Sequence, residues 1–157
     1  MNPPNQNKGF TLIELMVTLA VFAILVAIAY PSYRQYIINS RRSDAKILLS
    51  DAATHEERFY TQYNTYTTTI VQTAGCTGSA CGLGYATNLS PEGYYTLAVT
   101  VGPTGNINSS FLLTATPTTK GGQNNDTTCA AFTLDSTGVK ASTNSSNAVT
   151  TTQCWNQ

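Results

Sequence analysis

Four cysteines and one histidine are the residues of this chain best equipped for chemistry, and their spacing decides what they can do. Cys76 and Cys81 bracket four residues, after which 47 residues precede Cys129 and 72 precede Cys154. Zinc sites are built from close ligand pairs on both halves of the motif, and no second pair exists here. Disulfides remain, in any of three pairings; the Gly and Ser in CTGSAC permit a tight Cys76–Cys81 loop. His55 has no cysteine or serine beside it in a nucleophile arrangement, so it reads as a residue of a helix surface or of a helix-to-sheet contact. Phe59, Tyr60, Tyr63 and Tyr66 could stack bases, but no basic residue stands between Arg58 and Lys120. Core packing is the simpler use of these rings.

The composition points the same way. Eight Lys plus Arg balance eight Asp plus Glu, and only 10% of the 157 residues are charged. So few carboxylates and a single His leave little for acid/base or metal-assisted catalysis; an enzyme is disfavoured and no cofactor or metal is expected. A neutral chain also argues against broad nucleic-acid binding, which draws on clustered Lys and Arg. Thr, Ser and Asn supply 51 residues, mostly after residue 50. That suits an exported β-rich domain, where disulfides form by default.

The elements that position these residues divide sharply. From Phe10 to Tyr30 the chain reads FTLIELMVTLAVFAILVAIAY, with Glu14 its only charge. About 20 helical residues at 1.5 Å each cross a bilayer core of roughly 30 Å. A cleaved secretory signal would have a shorter apolar region and a small-residue cleavage site. Glu14 in such a helix costs up to about 3 kcal/mol at a bilayer centre, less near its end, so it calls for a partner. Beyond Pro31, which removes a backbone donor and predicts a bend, Tyr33, Ile37, Ala45, Leu48, Ala52 and Phe59 keep helical spacing on one face. Arg34, Arg41, Arg42, Lys46, Asp51, Glu56 and Glu57 occupy the others. Thr61 to Gly93 reads as a long connection. Strands are expected over Tyr94 to Val101, Phe111 to Thr116, Ala130 to Asp135 and Val139 to Ser142. The fold class is α+β: a long helix, half of it apolar all round, against three or four antiparallel strands.

The start of the chain, MNPPNQNKGFTLIEL, resembles the type IV pilins: Lys8 and Gly9, then Phe10, Glu14 as the fifth residue counted from Phe10 as the first, an apolar helix and Pro31. The C-terminal end, CAAFTLDSTGVKAS followed by QCW, resembles the PilE and ComP branch of minor pilins. The resemblance implies a leader of residues 1 to 9, cleaved by a prepilin peptidase between Gly9 and Phe10, and N-methylation of Phe10. It implies a helix over residues 10 to 60, transmembrane or filament core over 10 to 30, and a head over 61 to 157. Glu14 of an entering subunit would neutralise the Phe10 amine of its neighbour, and Pro31 would kink the helix and ease its local unwinding on assembly. It also implies a disulfide closing the C-terminal segment, Cys129 with Cys154, which leaves Cys76 with Cys81; Trp155 is then expected to cover the bond. The partners implied are other pilin subunits in a helical filament, the peptidase, the inner-membrane assembly machinery and, before assembly, the membrane itself, with the head periplasmic and then extracellular. The expected function is a non-catalytic, minor filament subunit supporting adhesion, twitching motility or DNA uptake. A DNA receptor is an alternative, disfavoured because Lys120 and Lys140 are the only cations after Arg58; a type II secretion pseudopilin is another.

Overall fold

The computed structural model describes residues 9–156. They fall into two compact units, one ending at Ile37 and one beginning at Ile38. Residues 1–8, Lys8 among them and most of the expected leader of residues 1–9, lie outside the described residues.

A single α-helix, α1 (Leu12–Tyr63), supplies all the regular structure of the first unit and the first helix of the second. It begins at Thr11, whose Oγ1 accepts the backbone N–H of Glu14 at 3.3 Å. Thr-x-x-Glu is the sequence of a capping box, in which the first residue satisfies an N–H group that the helix cannot. Pro31 lies inside α1, and one residue on the Ser32 hydroxyl donates to the Ile28 carbonyl at 3.5 Å. Within the first unit Leu12, Ile13, Leu15, Met16, Leu19, Phe22, Ile24, Leu25 and Ile28 are all exposed. So much contiguous apolar surface demands a cover of lipid or other protein. The stretch is long and apolar enough to cross a membrane.

In the second unit a four-stranded antiparallel sheet takes the order β1 (Tyr95–Val101), β2 (Phe111–Pro117), β3 (Ala131–Asp135) and β4 (Lys140–Thr143). Tyr95 pairs with Pro117, Ala115 with Phe132 and Phe132 with Ser142. The period-two pattern decides the buried face: Tyr95, Leu97, Val99, Phe111, Leu113, Ala115, Phe132 and Leu134 point inward and form one core with Ala45, Leu48, Leu49, Ala52 and Phe59 of α1. Val101, expected on that face, is exposed at the sheet end.

Residues 64–93 form the expected irregular connection, interrupted by one 3-10 turn (Gly78–Cys81). It is stitched rather than loose: Leu83 N–H donates to the Thr69 carbonyl and Tyr85 N–H to that of Ile70. Gly82 is required there, because its φ is +59° and a Cβ would sit 2.2 Å from the Thr69 carbonyl oxygen. The C-terminal polar run, which has almost no apolar side chain to bury, is organised by its backbone. Asn144 N–H donates to the Ala148 carbonyl, Thr150 N–H to that of Ser142, and a short helix α2 (Thr151–Trp155) follows. Backbone hydrogen bonds therefore share with the disulfide the work of holding this end.

Candidate functional site

Two regions carry the residues singled out by sequence, and each sits in its own unit. In the first, Gly9 has no neighbouring atom among the described residues that an added Cβ would meet, and Phe10 is exposed. Phe10 and Thr11 precede the first turn of α1, and Glu14 occupies its third position. An acid there interacts well with the helix dipole. An amine created at Phe10 would lie one helical turn away. Thr11, whose hydroxyl fixes where the helix begins, went unnoticed; the Thr-x-x-Glu spacing was the available signal.

In the second unit both disulfides join near neighbours, Cys76 with Cys81 and Cys129 with Cys154. Cys129 and Cys154 are fully buried, part of the core. Trp155 does not simply lie over the bond. Its ring meets the edge of Phe132 at 5.8 Å between centroids, and its Nε1–H donates to the Ala141 carbonyl at 2.8 Å, so the indole staples α2 to β4.

Two α1 charges assigned by periodicity to the polar faces, Arg42 and Glu56, are buried, and so is Asp44, each for a particular partner. Arg42 makes a two-pronged pair with Asp126, Nε to Oδ2 at 2.7 Å and Nη2 to Oδ1 at 2.8 Å, and Asp126 also accepts the Cys129 N–H at 3.1 Å. The planar guanidinium suits this carboxylate fork, and charge-assisted bonds of this kind are the strong ones. Asp44 accepts the Ser90 hydroxyl at 2.5 Å and the Glu92 N–H at 3.3 Å. Glu56 accepts the Thr67 N–H through Oε2 at 3.1 Å, while its Oε1 finds no partner among the described residues. Burial pushes its carboxyl up to about 7, with the nearby Glu57 charge adding to the shift and the Thr67 bond opposing it. His55 is a connector: its Nδ1 bonds the Leu83 carbonyl at 2.8 Å, and its ring lies 4.7 Å from that of Tyr85.

Three further cations of this unit lie over aromatic rings, and a fourth bonds the backbone of one. Arg41 lies over Tyr94 with its Cζ 4.3 Å from the ring centroid and donates to the Gly121 carbonyl at 2.9 Å. Lys120 approaches the same ring at 5.3 Å and donates to the Glu92 carbonyl at 2.7 Å. Lys140 stands 5.2 Å from the Trp155 ring, and Lys46 donates to the Trp155 carbonyl at 3.0 Å. Cations over ring faces are favourable, and here they fix charges that sequence counting treated as scattered. Tyr66, expected in a core, stacks with Tyr60 and edge-on with Phe111.

Comparison with known proteins decides what these two regions belong to. Residues 31–133, most of the chain, match the family model "Type IV minor pilin ComP, DNA uptake sequence receptor". The chain belongs to this type IV pilin family. Residues 4–30 of the pilin match the prokaryotic N-terminal methylation motif. Among curated relatives, the type IV major pilin protein PilA of Myxococcus xanthus is 39% identical over 61 residues, 39% of this chain and 28% of the relative. A fimbrial protein of Neisseria meningitidis is 31% identical over 94 residues, 60% of this chain and 49% of the relative. The pilin thus spans between a quarter and a half of the length of the curated relatives it matches. A solved type IV pilin from Shewanella oneidensis aligns with a TM-score of 0.40 and 25% identity over 66% of this chain and 89% of that one, a likeness too loose to carry weight. Pilin membership agrees with an apolar helix that anchors the chain in a membrane before assembly into an extracellular pilus. The family description also revises the weight of one expectation, since nucleic acid, disfavoured by charge counting, is what that description names.

Proposed function

We propose that this pilin is a minor subunit of a type IV pilus that serves DNA uptake, with a structural and binding role rather than a catalytic one. The observation that carries the reading is the family match across residues 31–133. In this account residues 1–9 are a leader removed at Gly9–Phe10, and Phe10 becomes the methylated first residue. The apolar helix over 10 to 30 anchors the subunit in the inner membrane, with the head on the periplasmic side, and then joins the filament core. Glu14 pairs with the Phe10 amine of a neighbouring subunit. Two features support that role: the carboxylate is at the third helical position of a helix surrounded by apolar surface, and a charge in such surroundings is stable only when partnered. Pro31 has no N–H to give, which lowers the cost of opening the helix near it when the subunit changes environment. The head, residues 61 to 157 with the end of α1 packed on its sheet, faces outward.

The test separates membrane insertion from assembly. Glu14→Val removes a polar group from an apolar helix, so the variant should insert as well as wild type, yet be lost from sheared pili and reduce transformation to the level of a strain lacking the protein. Normal incorporation and normal transformation with Glu14→Val would contradict the pairing role.

A further inference from the structure

We propose that residues 66–85 of the connection form a pH-released flap, docked on α1 by a row of ionisable side chains and loosened from it as pH rises. The row runs from Asp51 to Glu57. Asp51 Oδ2 accepts the Tyr85 hydroxyl at 2.5 Å, His55 Nδ1 donates to the Leu83 carbonyl at 2.8 Å, Glu56 Oε2 accepts the Thr67 N–H at 3.1 Å and Glu57 Oε1 accepts the Tyr66 hydroxyl at 3.2 Å. Tyr66, Ile70, Leu83 and Tyr85 add apolar contact with the core, so the docked form prevails. A cleft of about 480 Å³ already lies between α1 and the end of the flap, with Ile47, Asp51, Tyr85 and Leu89 in its walls, and it puts the Asp51–Tyr85 bond within reach of water.

Glu56 is the member that makes the row sensitive to pH. It is fully buried, its Oε1 has no hydrogen-bond partner, and among the described residues no ion pair answers its charge. Arg42, comparably buried on the same helix, has Asp126 for a counter-charge. The titratable groups around Glu56 supply none. On α1 they are Asp51, Glu57, Tyr60 and His55, which turns its second ring nitrogen towards Asp51 at 3.9 Å, while Arg58 is exposed. On the flap they are Tyr66 and Tyr85, and on the sheet side of the core Tyr95, whose hydroxyl is held by Gln123. A buried carboxylate with one donor is costly, whereas its protonated form carries no charge and either form is solvated once the flap lifts. Burial accordingly raises the Glu56 carboxyl to about 7 from an ordinary 4.5. The closed flap therefore binds the extra proton, so docking is at full strength below about 4.5 and weakens as pH rises through 7.

The test is amide hydrogen exchange of the full chain in neutral detergent at pH 6 and pH 8, read by mass spectrometry with the hydroxide-driven change in intrinsic rate divided out. The flap amides, Leu83 and Tyr85 among them, should open well before those of β2 and β3. Their opening constant should rise on the order of tenfold between the two pH values. Glu56→Gln keeps an acceptor for the Thr67 N–H but cannot ionise, and it should remove that rise. Tyr85→Phe deletes the Asp51 bond; it should raise opening by the same factor at both pH values and keep the rise. This variant and the wild-type profile carry the test even if Glu56→Gln disturbs folding. Flap amides that exchange only together with those of the sheet, an opening constant indifferent to pH, or a rise that survives in Glu56→Gln would each overturn the proposal.

Discussion

The head contains two disulfide-closed loops, and the same covalent bond does different work in each. Cys76 and Cys81, five residues apart, clip a turn whose cysteines are only half-buried and whose neighbours are mostly exposed. Cys129 and Cys154, 25 apart, are fully buried among Phe132, Leu49 and the rest of the core. The second loop is also anchored at its entrance by the Arg42–Asp126 pair, whose carboxylate holds the Cys129 N–H, and at its exit by Trp155. The first is a local clip on a connection already stitched by backbone bonds. The second is where helix, sheet and chain end are joined. A disulfide's contribution therefore depends on what else converges on it.

The comparison can be broken most forcefully at Asp126. Asp126→Ala leaves the buried Arg42 guanidinium without its counter-charge and frees the Cys129 N–H, a loss expected at about 3–5 kcal/mol. It should lower the denaturation midpoint of the full chain in detergent more than any other single change here. A midpoint shift of less than about 1 kcal/mol equivalent would mean that the entrance of the C-terminal loop is not fixed by this pair.

Removing the disulfides separately sharpens the contrast. In the chain-entropy model a loop of the larger size stabilises by between about 3 and 4 kcal/mol and the smaller by about 2 kcal/mol. Cys129→Ser with Cys154→Ser also places hydroxyls in an apolar core, widening the gap. Thermal unfolding of the two double variants should rank them in that order, with pilus incorporation falling along with stability; equal losses would contradict the ranking.

The smallest effect concerns pH and belongs to the side of the first loop. Glu56 anchors the connection through Thr67, and its carboxyl titrates at about 7 in the fold against about 4.5 unfolded. Between those values the folded state binds the extra proton, so stability is full below about 4.5 and declines as pH rises through 7. Glu56→Gln should abolish this decline, making the variant more stable than wild type at pH 8 by on the order of 1–2 kcal/mol. Urea midpoints at pH 5 and pH 8 measure it. A wild-type midpoint that rises with pH over that range would contradict the assignment.

Much of this architecture was legible because it depends on local pattern. The 21 residues from Phe10 to Tyr30 announce an apolar helix by composition alone, and alternation in Tyr95, Leu97 and Val99 marks β1 and its buried face. α1 ends at Tyr63, three residues beyond the expected Tyr60, because Phe59 and Tyr63 stack at 4.7 Å and carry the helix onward. What escaped was set by distant partners. Arg42 looks like any polar-face arginine until Asp126, 84 positions later, arrives beside it. Lys46 and Lys140, far apart in sequence, both meet Trp155. Helix α2 was missed because its stretch, TTQCW, is too short to show periodicity and is held by β4 and the disulfide.

The central claim, that this chain is a processed subunit of an extracellular pilus, is tested most directly by intact-mass spectrometry of sheared pili. The account predicts that the filaments contain this chain in low abundance beside a more plentiful pilin, beginning at an N-methylated Phe10 and carrying two intact disulfides. Filaments lacking the chain, or containing it with residues 1 to 9 still attached, would contradict it.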